Sequence, residues 1–101
     1  MNNTITLEKL NKYFAITKEA LAKAKIAFDN SRLAQAEDFF DMASRYYADA
    51  EYFFNEKEDY VLAFAALNYA HGWLDAGARI GLFKVKDSRL FTVDGDEKRK
   101  R

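Results

Sequence analysis

The chain has 101 residues, 50% hydrophobic, 32% charged and 16% aromatic, with no Pro and no Cys. That length makes one domain, near the lower limit for a self-sufficient core. The missing Cys exclude a disulfide framework and thiolate metal sites, and so high an aromatic fraction excludes a disordered chain. A single His argues against an all-protein zinc site, and no Pro with only four Gly argues against a turn-rich β-sandwich. Net charge is zero, so the total points to neither nucleic acid nor membrane. Its distribution is uneven: residues 1–83 carry nine Lys/Arg against twelve Asp/Glu, whereas residues 84–101 carry seven against four and end in Lys98-Arg99-Lys100-Arg101. No apolar run approaches the roughly 18–20 residues of a membrane span and no signal-peptide pattern opens the chain, so a cytoplasmic location is expected.

Apolar spacing predicts three helices. The first, about residues 7–29, has Thr6 as N-cap and Glu8 in its first turn, where the helix dipole favours an acid. Leu7, Leu10, Phe14, Thr17, Leu21, Ala24 and Phe28 recur on one face at steps of three and four. Asn30-Ser31 reads as a stop followed by a new cap. The second helix, about 32–56, carries Leu33, Ala36, Phe40, Ala43, Tyr47, Ala50 and Phe54 on its main stripe. Large and small residues alternate there, which lets helices interdigitate closely. After the short link 57–59, Asp59 is placed to cap a third helix, about 60–82. Short links and matched lengths predict an all-α, up-down-up three-helix bundle with a left-handed twist over residues 1–83. Residues 84–101 form a separate C-terminal segment. In it Leu90-Phe91-Thr92-Val93 has the means to fold back, while the basic end from Asp96 is expected to be disordered.

The third helix is the unusual one. Val61 to Leu67 is apolar without a break, and Tyr69, Ala70, Trp73, Leu74, Ala76, Ala78 and Ile80 continue around nearly the whole circumference. Such a helix must be buried all round, yet two neighbours leave one side open. Either Phe83, Leu90, Phe91 and Val93 cover that side or a second chain does, with Phe64, Trp73, Gly77 and Ile80 as interface residues. Gly77 and Gly81 are spaced for close helix approach, each at a cost of about 1 kcal/mol in helix propensity.

Asn68, His71, Asp75 and Arg79 form a polar stripe on this helix, within an arc of roughly 80°. His71–Asp75 and Asp75–Arg79 stand at i,i+4. The stripe is open to three readings: an acid/base pair in which Asp75 orients His71, a network that fixes helix register, or the solvent-facing edge of an apolar helix. Asp49 and Tyr46 are placed to join it if the second helix aligns. No nucleophile stands at a defined spacing, so no catalytic residue is assigned. Glu37, Asp38 and Asp41 lack the Glu-x-x-His motifs of a di-iron bundle, so no metal or cofactor is expected.

The stretch Asp49-Ala50-Glu51-Tyr52-Phe53, followed by Ala63 through Arg79, resembles the archaeal family called domain of unknown function 357. The likeness runs from about Ile5 to Val93 and includes Leu90-Phe91-Thr92-Val93. It implies a small three-helix, up-and-down bundle and no activity. A fainter likeness to tetratricopeptide hairpins fails because only one helix pair is visible. The Arg-then-His spacing of the nucleotide-binding helical ribonucleases is not met, since Arg45 lies far ahead of His71 and Arg79 follows it.

These observations favour a non-enzymatic interaction or scaffold protein that pairs with a second copy or another protein. The alternative is a nucleotide- or RNA-binding module using His71, Arg79 and the basic tail. An enzyme centred on His71–Asp75 is the third reading.

Overall fold

A computed structural model describes residues 4–92. Three helices account for most of them: α1 (Leu7–Lys25), α2 (Leu33–Asn55) and α3 (Tyr60–Arg79), with a single 3-10 turn at Asn30–Arg32 ahead of α2. Ring contacts fix the directions. Phe14 meets Tyr47 and Phe54 while Phe28 meets Phe40, so α1 and α2 are antiparallel. Phe39 meets Trp73 and Phe54 meets Tyr60, so α2 and α3 are antiparallel as well. The result is an all-α, up-down-up three-helix bundle.

The N-termini of α1 and α3 follow from local chemistry, whereas Asn30-Ser31 neither ends α1 nor caps α2: α2 begins after Arg32 with no side-chain cap, and Ser31 donates to Asp29 instead. The Thr6 hydroxyl accepts from Lys9 N–H at 3.1 Å and the Asp59 carboxylate accepts from Leu62 N–H at 3.0 Å, each relieving an orphan donor. Two C-termini come earlier than periodicity suggests. α3 stops at Arg79, not Leu82, because Gly81 turns into the left-handed region (φ 81°). Leu82 N–H then donates to Gly77 C=O at 2.8 Å and Gly81 N–H to Ala78 C=O at 3.2 Å, the paired bonds of a Schellman ending. α1 stops at Lys25, not Asp29. Its expected last turn is drawn off by the segment after α3: Lys84 N–H donates to Ala27 C=O at 2.7 Å, Asp29 N–H to Leu82 C=O at 2.8 Å, and Phe28 and Phe83 form an antiparallel bridge.

Inside the helices most of the deeply buried positions are small, with Leu10, Leu67 and Leu74 the large exceptions. Ala20, Ala24, Ala36, Ala43, Ala50, Ala63 and Ala70 are fully covered, and the aromatics flank these contacts half-exposed. Small residues at the contact line let helix axes approach toward the short end of the usual 8–10 Å. The bulk at the far end comes from chain that follows α3. Leu82, Phe83, Leu90 and Phe91 are among the largest fully buried side chains, and they close the core around Ala24, Leu74 and Ala78. Residues 84–92 are therefore part of the packed body. Val93 and the basic end, 98–101, lie outside the described residues.

α1 and α2 each lie against α3 more than against each other. The molecule is flattened, 40 × 34 × 16 Å.

Candidate functional site

The sequence-predicted polar stripe divides in two. His71 and Asp75 point from α3 toward α1 and the returning segment. The His71 Nε2 lies 2.6 Å from the Leu90 carbonyl. A carbonyl only accepts, so Nε2 carries the hydrogen and donates it, and Nδ1 is hydrogen-bonded to the Thr17 hydroxyl at 3.2 Å. Asp75 accepts from Thr92 N–H at 3.0 Å. Its carboxylate is 4.0 Å from His71 Nε2, beyond hydrogen-bond reach. The pair thus clamps two backbone groups of the returning segment, one through a donor and one through an acceptor. A general base held by a carboxylate needs its nitrogen free for substrate; here both ring nitrogens are engaged.

Arg89 closes the same corner. It makes a two-pronged bond to Glu19 at 2.7 and 3.2 Å and reaches Asp87 at 3.4 Å. The hydrogen bond from Arg89 holds the Glu19 carboxyl below its ordinary range, and the same bond raises the Arg89 guanidinium. Between these groups lies a pocket of about 370 Å³ lined by Tyr13, Thr17, Asn68, His71, Asp75 and Arg89, among others. Its charges are mixed in sign, and Arg89 is already paired with Glu19 and Asp87.

Arg79 is exposed on the outward side of α3, Asn68 borders both that side and the His71–Asp75 pocket, and Tyr46 and Asp49 do not join the His71–Asp75 cluster. Tyr46 stacks on Tyr69 instead (centroids 4.9 Å apart, rings 18° from parallel), and Asp49 is exposed. The four expected interface residues also separate. Gly77 is buried with the Phe83 ring where its Cβ would stand, so its small size serves packing within the chain. Phe64 sits edge-on to Tyr13 of α1 at 5.2 Å. Only Trp73 and Ile80 border the outward side.

Periodicity did not single out that outward side. The exposed residues of α3 are Val61, Leu62, Ala65, Asn68, Tyr69, Gly72, Ala76 and Arg79. Val61 is 67% exposed, Leu62 45% and Tyr69 63%, and Ile80 beyond the helix end is 52% exposed. The signal was present as a second three-four series, 62-65-69-72-76-79, running beside the buried one. At its middle is an open groove of about 630 Å³, lined by Phe39, Asn68, Tyr69, Gly72, Trp73 and Ala76. Trp73 and Phe39 meet edge to face at 5.0 Å and wall one side. Gly72 is its floor: a Cβ there would meet nothing within 4 Å.

Among the described residues no cluster of three or more His, Asp or Glu side chains could hold a metal ion, and no helix is long and apolar enough to cross a membrane. No curated protein and no solved structure matches the chain. Residues 12–83, from the second turn of α1 to the Phe83 bridge, match the family model described as protein of unknown function DUF357, and the chain belongs to that family.

Proposed function

We propose that this protein is a non-catalytic interaction module that docks a protein partner on the outward side of α3. The observation that carries the reading is the contrast between helices. The exposed sides of α1 and α2 are dominated by charged residues such as Lys9, Lys12, Lys18, Glu37, Asp38, Asp41 and Arg45, whereas α3 exposes a continuous apolar and small-residue row broken only by Asn68 and Arg79. Single exposed apolar residues are ordinary, but a contiguous patch on an otherwise charged surface marks an interaction site. The open groove suits an inserted side chain better than an enclosed small molecule, which needs most of its surface covered.

The test is site-specific photo-crosslinking in cells. A crosslinking residue at position 65 or 76 is expected to yield adducts, one at the exposed Lys18 position of α1 is not, and Gly72→Arg is expected to suppress the first two. Equal labelling at all three positions, or none at 65 and 76, sinks the reading.

A further inference from the structure

We infer that the partner on the outward side of α3 is a second copy of this chain, paired antiparallel through α3 about a two-fold axis between Ala70 and His71. This rests on the reading of that side as a docking surface and adds the identity of the occupant. Three observations favour it.

The first is register. Leu62, Ala65, Tyr69, Gly72, Ala76 and Arg79 follow the alternating three-four spacing of a helix seam. An antiparallel pair centred between 70 and 71 sets Tyr69 opposite Gly72 of the second copy, Ala65 opposite Ala76, Leu62 opposite Arg79 and Val61 opposite Ile80. Tyr69, largely exposed although it stacks on Tyr46 of its own chain, then faces the one position with no side chain. The groove walled by Phe39 and Trp73 receives it. A parallel pair stacks Tyr69 on Tyr69 and Gly72 on Gly72, a clash beside a void. A two-fold contact needs a self-complementary patch, and this row is complementary to its own reversal.

The second is charge. Arg79 stands at the C-terminal end of the row, and Glu56, Glu58 and Asp59 stand at its N-terminal end with a single Lys57 among them. Reversal brings unlike ends together and also opposes the two helix dipoles; parallel pairing brings like ends together.

The third is Gly72 itself. A glycine in a helix interior costs about 1 kcal/mol relative to Ala, and nothing within the chain occupies the space a Cβ would take. The protomer alone gains nothing from it. The antiparallel pair does.

Area sets the strength. A strip about 30 Å long and about 10 Å wide on each protomer buries less than the ~1,200 Å² of a standard stable complex. A weak, concentration-dependent dimer is therefore expected.

Sedimentation of the full chain from about 10 μM to about 1 mM should pass from monomer to dimer. Gly72→Gln should raise the melting temperature of dilute protein by a few degrees, because a good helix former replaces glycine in open space, and should weaken dimerisation at least about tenfold. Because the variant stabilises the fold, loss of pairing cannot be misfolding. The chain has no Cys, so mixing Ala65→Cys with Ala76→Cys reports orientation: mixed 65–76 disulfides are expected in excess of like pairs. A natural chain monomeric at the highest concentration, undiminished dimerisation in Gly72→Gln, or like pairs in excess overturns the pairing. A strictly monomeric chain whose crosslinks in cells still map to α3 overturns the pairing while leaving the docking surface standing with a different occupant.

Discussion

Three of the four glycines fall in the described residues, and each has a different physical reason. Gly81 adopts φ 81° and ends α3, which L side chains resist. Gly77 is buried against Phe83, and a Cβ there would fall inside the ring's space. Gly77→Ala is therefore expected to destabilise the fold by about 1–3 kcal/mol through overpacking, whereas Gly72→Ala is expected to stabilise the protomer by about 0.5–1 kcal/mol. Chemical denaturation of the two variants side by side, at low protein concentration, checks the opposite signs. In the sequence Gly77 reads as a close-approach residue of an apolar helix, with nothing to say which neighbour approaches it. Which one is packed against depends on where the chain goes after α3.

At the scale of elements, the segment after α3 acts as a fourth packing unit. Leu90 and Phe91 are buried at 2% exposure each. They are held there by two polar clamps, His71 to Leu90 C=O and Asp75 to Thr92 N–H. Phe91→Ala is expected to cost about 3–5 kcal/mol, a large part of the ~5–15 kcal/mol that holds a domain together, with a matching fall in the urea midpoint. The N-caps at Thr6 and Asp59 were legible because capping needs only a side chain and the next turn. The early end of α1 was not, because Ala27, Phe28 and Asp29 leave the helix to pair with Lys84, Phe83 and Leu82 more than 50 residues later. Periodicity along one helix carries no record of such a partner. The polar stripe was legible as a cluster, but what it holds was not. Spacing at i,i+4 brings His71 and Asp75 to one side, while the backbone groups they bind arrive from the far end of the chain.

At the scale of the whole molecule, Asp29 joins the link between α1 and α2 to the chain beyond α3. Its carboxylate accepts from the Ser31 hydroxyl at 2.8 Å, Ser31 N–H at 3.0 Å and Arg32 Nε at 3.0 Å, with Lys84 Nζ 3.9 Å away. The Ser31 bonds, then Arg32 and Lys84, pull its pKa down from 3.8 to about 2. The folded state therefore holds this group ionised where the unfolded chain has begun to bind a proton. The stability it contributes is complete above the unfolded value and is lost as pH falls from about 4 through about 2. Asp29→Asn is expected to flatten that part of the acid-unfolding profile, measured by circular dichroism against the natural chain; an unchanged slope would assign the acid sensitivity to other carboxylates.

What the sequence determined by itself is everything set by local periodicity and composition: three helices, their order, the N-caps of α1 and α3, and an apolar load on α3 too great for two neighbours. Those properties are written within a few turns of chain, where side-chain spacing and backbone geometry are coupled directly. What only the tertiary structure decided is how that load is shared. The segment after α3 covers the Leu74, Gly77 and Ala78 side, and the Leu62, Tyr69, Gly72 and Ala76 side stays open. The physical reason is that a helix apolar all round has no preferred inside. Its burial is assigned by long-range contacts, the Phe28–Phe83 bridge and the clamps on Leu90 and Thr92, whose partners lie far apart in the chain.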